Sequence, residues 1–178
     1  MRIIGIDPGS RFTGYGIVDR GTDRLIHVDC GVIAPPTDAP IERRLGFIHD
    51  RLAELLAIHR PDSAAVEDVF YAKNWRSALA LGQARGAALT ALAGAGIAVS
   101  AYPPATVKQQ VVGGGRAQKQ QVQHMVRILL GLPEVPEENA ADALAVAICH
   151  FIQLNKPQKS KEYKNWADFV KKNPNKVK

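Results

Sequence analysis

A chain of 178 residues, 46% of them hydrophobic, suits one packed domain with a short tail. It holds no run of about 18 uncharged apolar residues and no signal-peptide pattern around Met1-Arg2-Ile3-Ile4-Gly5, so no membrane span and a cytoplasmic location are expected. The two cysteines, Cys30 and Cys149, are far apart and argue against a disulfide framework or a thiolate zinc site, and the net charge of +6 points to an anionic partner.

The first predicted element is Arg2-Ile3-Ile4-Gly5-Ile6-Asp7, a short, apolar, β-branched run that reads as a buried strand and ends at the turn signal Pro8-Gly9. Residues 13–18 and 25–33 follow as two more strands across Arg20-Gly21-Thr22-Asp23, giving an antiparallel meander. The period then changes. Ile41, Leu45, Ile48, Leu52, Leu55 and Leu56 recur at three- and four-residue steps and mark an amphipathic helix that stops before Pro61. A strand is expected at 63–66, an Ala-rich helix from about 76 to 93, and a strand at 97–102 that Pro103-Pro104 closes. Two further helices are expected near 117–130 and 139–154, with breaks at Gly113-Gly114-Gly115 and at 133–136. The order βββαβαβ followed by helices implies an α/β domain over residues 1–154, a mixed five-stranded sheet flanked by helices. Residues 155–178, rich in Lys and Asn with isolated Tyr163, Trp166 and Phe169, read as a mobile or weakly helical tail.

That tail carries the whole net charge, because residues 1–154 balance at 15 basic and 15 acidic side chains. Within the neutral part the signs are segregated. From 69 to 133 the charged residues are Lys73, Arg76, Arg85, Lys108, Arg116, Lys119 and Arg127, without an acid among them. A phosphate-binding face has this pattern, as does a set of solvated helix surfaces.

Three acids carry the candidate chemistry. Asp7 ends an apolar strand before a Gly-containing turn, which projects its carboxyl from the sheet edge, although a turn-capping acid sits in the same place. Glu67 stands at the exit of the short strand around Ala64-Ala65-Val66 and equally well begins the next loop. If the first and fourth strands are neighbours, the two carboxylates become adjacent, and such a repelling pair is usually retained for metal or proton chemistry. Asp142 is the lone charge in Ala140-Ala141-Asp142-Ala143-Leu144-Ala145-Val146-Ala147-Ile148, and Asn139 shares its helix face one turn earlier. A helix-start position accounts for the acid as well. Oxygen ligands from three distant segments suit a hard cation, Mg²⁺ or Mn²⁺, and two such ions can assist phosphodiester hydrolysis.

Gly5-Ile6-Asp7-Pro8-Gly9-Ser10 with Thr13-Gly14-Tyr15-Gly16, then Glu67-Asp68-Val69-Phe70-Tyr71-Ala72-Lys73-Asn74, closely resembles the RuvC family of Holliday junction resolvases. Leu81-Gly82-Gln83-Ala84-Arg85-Gly86, Val107-Lys108-Gln109, Lys119, Val122-Gln123-His124-Met125-Val126 and Ala140-Ala141-Asp142-Ala143-Leu144-Ala145 resemble later blocks of the family, in family order, so the likeness spans roughly 1–152. It implies a ribonuclease-H-like fold, a homodimer, and an endonuclease of DNA recombination and repair that nicks opposing strands of a four-way junction symmetrically. A branch-migration helicase complex of the same recombination system is the implied partner. Asp7, Glu67 and Asp142 match the family's metal-binding carboxylates, Lys108 and Lys119 match lysines near the scissile phosphate, and Phe70 matches an aromatic that stacks on a junction base. The basic window adds Lys73, Asn74, Arg76 and Arg116 as candidate DNA contacts, and the small face around Gly82 and Gly86 resembles the dimer interface.

Asn139 departs from the pattern, since the family generally has Asp or sometimes His there. An amide oxygen ligates a cation without adding negative charge, so a weaker second metal is expected. A junction-binding but cleavage-impaired chain is therefore one alternative. An actin-like ATPase, which also opens with Gly-Ile-Asp-x-Gly, is the remote one, and 178 residues are too few for its duplicated domain.

Overall fold

Ile3, Ile4 and Ile6 of β1 (Arg2–Asp7) are all fully buried, so this strand is covered on both faces and must lie inside a layered sheet. The computed structural model describes residues 1–22, 24–68, 75–156 and 170–171. After β1 come β2 (Thr13–Arg20), β3 (Leu25–Ile33), α1 (Ile41–His59), β4 (Ser63–Glu67), α2 (Trp75–Gly94), β5 (Val99–Tyr102), α3 (Pro104–Val112), α4 (Lys119–Leu130) and α5 (Glu138–Asn155). The sheet has the order β3-β2-β1-β4-β5, antiparallel from β3 to β1 and parallel from β1 to β5. This is the mixed five-stranded sheet expected from the sequence, with β1 and β4 side by side.

Alternation along the strands sorts the core into two layers. Ile3, Val18 and Ala65 pack with Val107, Val122, Val126 and Leu144 of α3, α4 and α5. Ile4, Ile6, Ile17 and Val66 pack on the other side with Ile48 and Leu52 of α1 and Ala84 and Leu92 of α2. One helix, α3, falls where only a strand terminator was expected. Pro104 occupies its first turn, where a fixed φ and a missing N–H cost nothing, and Val107 and Val111 supply its buried stripe.

α5 lies in backbone contact with β1 and β2. A Cβ added at Gly5 would stand 2.1 Å from the Ala143 carbonyl oxygen, one at Gly14 would stand 2.0 Å from that of Asn139, and one at Gly16 would stand 2.7 Å from the Leu144 nitrogen. Gly5 and Gly16 are cross-strand partners, and Gly14 faces Asp7. The helix answers with its own small residues Ala140, Ala143 and Ala147, all buried. Its far end is fixed by His150, whose Nδ1 is 2.8 Å from Tyr102 Oη and whose Nε2 is 3.2 Å from Ser63 Oγ. Burial lowers the pKa of this imidazole and favours its neutral form.

Gly5→Ala is expected to destabilise by at least about 3 kcal/mol, because backbone rather than a flexible side chain must move. In a domain of this size that is a Tm loss of roughly 6–12 °C. Gly46→Ala on α1, where an added Cβ meets nothing, should hold or raise the Tm. Equal melting of the two variants would remove the close-approach argument.

Candidate active site

The same alternation that points Ile3 and Gly5 toward α5 points Asp7 there, and it points Glu67 there along with Ala65. The parallel register pairs Ile6 with Val66, which carries Asp7 and Glu67 to neighbouring strand ends. Each carboxyl shifts the acidity of the other, and two ionised carboxylates brought this close repel, so the pair favours holding a proton. Burial pushes the Asp7 carboxyl up to about 6, with the Asp142 charge adding to the shift and the bond from Glu67 opposing it. Burial pushes Glu67 to about 8, helped by the Asp7 charge and by the bond to Asp7.

Asp142 projects from the first turns of α5 and is also raised, mainly by burial and against the opposing charge of Lys119. Lys119, the first residue of α4, donates to the Glu138 carboxylate and stands 4.0 Å from Asp142 Oδ2. Its own pKa is raised, first by that bond to Glu138. Lys108 on α3 is half-buried, and its charge works against the raised values of Glu67 and Asp142. The expected acids and both lysines thus fall within electrostatic reach of one another. Arg116 is exposed between α3 and α4, and Arg76 is exposed at the start of α2 with its guanidinium 5.3 Å from the Trp75 ring centre. Phe70, Lys73 and Asn74 lie outside the described residues, as does most of 155–178.

Asn139 is engaged differently from its neighbour. Its Nδ2 donates to Glu137 Oε1 at 2.8 Å, while Glu137 Oε2 accepts from the backbone nitrogens of Asn139 and Ala140. Glu137 is therefore the N-cap of α5. Glu137 and Glu138 were not singled out in the sequence, where the helix was begun at 139. Two acids directly after Pro136 are the helix-start signal that places them.

Among the described residues, no three Asp, Glu, His or Cys side chains converge tightly enough to form a closed metal cage. The donor chemistry nevertheless fits a hard divalent cation. Asp7 and Glu67 form a crowded oxygen pair whose burial favours protonation in the absence of a cation, and Asp142 lies within electrostatic reach of it beside Lys119.

A protein-family model described as crossover junction endodeoxyribonuclease RuvC matches residues 3–150. The chain belongs to the RuvC family. RuvC proteins of Citrifermentans bemidjiense and Syntrophotalea carbinolica are 57% and 55% identical to it over 150 residues, which is 84% of this chain and 92% and 93% of theirs. T. thermophilus RuvC, solved in complex with a Holliday junction substrate, is 39% identical with a TM-score of 0.81, covering 86% of this chain and 94% of that one. The yeast mitochondrial Holliday junction resolvase Ydc2, at 12% identity and a TM-score of 0.59 over 83% of this chain and 77% of its own, shares the fold. The ribonuclease-H-like fold expected from the sequence is thus present. RuvC membership favours neither the actin-like ATPase nor the non-cutting alternative. No helix among the described residues is long and apolar enough to cross a membrane.

The raised carboxyls set a sign for stability. Asp7 and Glu67 keep protons in the native state that the unfolded chain has already released, so their contribution is greatest below about pH 4 and is lost as pH rises toward 8. Without divalent cations, Glu67→Gln should melt with the parent at pH 4 and above it at pH 8. A Tm difference that stays constant across this range would contradict the raised pKa values of Asp7 and Glu67.

Proposed function

We propose that this chain resolves Holliday junctions by paired symmetric nicks, through metal-assisted hydrolysis at Asp7, Glu67 and Asp142. The observation that carries the reading is the placement of three half-buried carboxyls from β1, β4 and α5, each held above its ordinary pKa, on one side of the sheet in a RuvC-family chain. Asp7 and Glu67 in their ionised forms, with Asp142 completing the oxygen set, would hold Mg²⁺, with Mn²⁺ as a substitute and two ions per site, which would supply activation of the attacking water and stabilisation of the leaving oxygen. Lys108 and Lys119 stabilise charge developing on the scissile phosphate. Lys119 must then exchange part of its contact with Glu138 and Asp142 for the phosphate. Arg76 and Arg116 contact the backbone further out, with Phe70, Lys73 and Asn74 as their partners on the connection before α2.

Symmetric nicking needs two sites, and a homodimer supplies them. The outward face of α2, where added Cβ atoms at Gly82 and Gly86 would meet nothing within 4 Å, is the surface proposed for the partner subunit. A four-way junction, and in the cell a branch-migration helicase complex, complete the proposed partners.

On a synthetic mobile four-way junction with Mg²⁺, Asp7→Asn, Glu67→Gln and Asp142→Asn should each cut at least about a hundredfold more slowly while still binding the junction. Near-normal cutting by any one removes that residue from the site.

Position 139 gives a second outcome. Asn139→Asp exchanges the donor to Glu137 for a carboxylate that Glu137 repels, so the side chain should leave the cap and turn toward the cation site. An added charge beside a divalent ion is worth roughly 1–4 kcal/mol, enough to lower the half-saturating Mg²⁺ concentration about tenfold. An unchanged Mg²⁺ response places position 139 outside the ligand set.

A further inference from the structure

Beside the amino terminus of α5 lies a groove of about 700 Å³ that the carboxylates do not use. Its walls are the β1–β2 turn, the first turn of α1, the start of α2 and Asn139, and its lining includes Arg11, Phe12, Arg44 and Arg76 with no acid among the described lining residues. Arg11, Phe12 and Arg44 fall outside the basic window of the sequence, so this cationic wall arises only on folding.

The turn that presents these residues is held in one shape. Fully buried Thr13 donates from Oγ1 to the Gly9 carbonyl at 2.8 Å and accepts from the Gly9 nitrogen at 3.3 Å. A Cβ at Gly9 would stand 2.3 Å from the Phe12 carbonyl oxygen, so the loop closes on itself and leaves Phe12 half exposed. Arg44 reaches across from α1 and donates from Nη2 to the Ser10 carbonyl. Its buried Nε has no acceptor. A half-buried guanidinium whose donors are only partly matched favours an incoming anion at its open edge, since its planar fork matches a phosphate. Asn139 joins this groove to the carboxylates, standing one helical turn from Asp142.

We propose that the groove is a second nucleic-acid subsite, in which Arg11 and Arg44 hold a backbone phosphate of the strand entering the carboxylate site and Phe12 packs on its base. The assignment rests on the junction-cutting reading, because it requires a DNA strand at the carboxylates. Strand tension at the scissile bond is then set from both sides, by the lysines of α3 and α4 and by the arginines of the turn and α1.

The test is junction affinity against salt concentration in divalent-free buffer, with melting curves for each variant. Arg11→Ala and Arg44→Gln should each weaken binding several-fold and flatten the slope of log K against log salt by about 0.9, the loss of one phosphate contact. Phe12→Ala should weaken binding about tenfold with little change of slope, as expected for a lost stacking platform. Arg43→Ala, which removes the same charge one residue away on α1 and outside the groove, should leave the slope unchanged. Arg11 and Phe12 are exposed, so these two variants decide the matter even where Arg44→Gln folds poorly. Unchanged slopes for Arg11→Ala and Arg44→Gln, or equal flattening by Arg43→Ala, would overturn the subsite. So would displacement of junction DNA by low millimolar inorganic phosphate at constant ionic strength, which would make the groove a free-anion site. Failure of the parent chain to prefer a four-way junction over linear duplex would instead strike the junction-cutting reading itself.

Discussion

The contact on which the rest depends is backbone against backbone, where α5 rests on Gly5, Gly14 and Gly16 of β1 and β2. Glycine in a strand normally weakens it, and here three of them are spent on letting a helix approach closer than any side chain allows. The gain is positional. Asp7 sits two residues from Gly5 and opposite Gly14, and Asp142 sits between Asn139 and Ala143, the two α5 residues whose carbonyl oxygens touch that glycine stripe. A shift of α5 by the thickness of one methyl group would separate the β-strand carboxyls from the helical one. His150 bonded to Tyr102 and Ser63 prevents the helix from pivoting at its far end.

Crowding acids at this seat works against folding, and the protein limits the damage with protons and lysines. Asp7 and Glu67 are both held above their ordinary pKa, which favours keeping a proton on the pair, while Lys119 stands beside Asp142 and Glu138. In the proposed reading a divalent cation would replace both devices at once, which would couple stability to metal. Such sites, where local rules of stability are broken by design of the chemistry, are where function concentrates.

The strands, the amphipathic helix α1 and the α/β class were legible because each has its own period, and β1 shows its depth by being apolar at every position between its charged ends. Asp7, Glu67 and Asp142 were visible as acids in apolar settings, and their pairing followed once β1 and β4 were taken as neighbours. α3 was not visible, because Pro103-Pro104 reads as a stop and a nine-residue helix offers only two buried positions. Arg11, Phe12 and Arg44 escaped for a different reason. They lie about thirty residues apart in sequence among mixed charges, and only the Arg44 bond to Ser10 and the closed Gly9–Thr13 turn bring them to one wall. The engagement of Asn139 with Glu137 was equally hidden, since spacing alone assigns 139 and 142 to one face without saying which partner each side chain prefers.

We propose that the glycine seat brings Asp7, Glu67 and Asp142 to one cation site. Anomalous diffraction from crystals grown with Mn²⁺ tests it directly. A manganese peak within about 2.5 Å of carboxylate oxygens of both Asp7 and Glu67, with Asp142 bordering the same cluster, is the predicted result. Manganese found only at other acids, with none at Asp7 and Glu67 at pH 8, would contradict it.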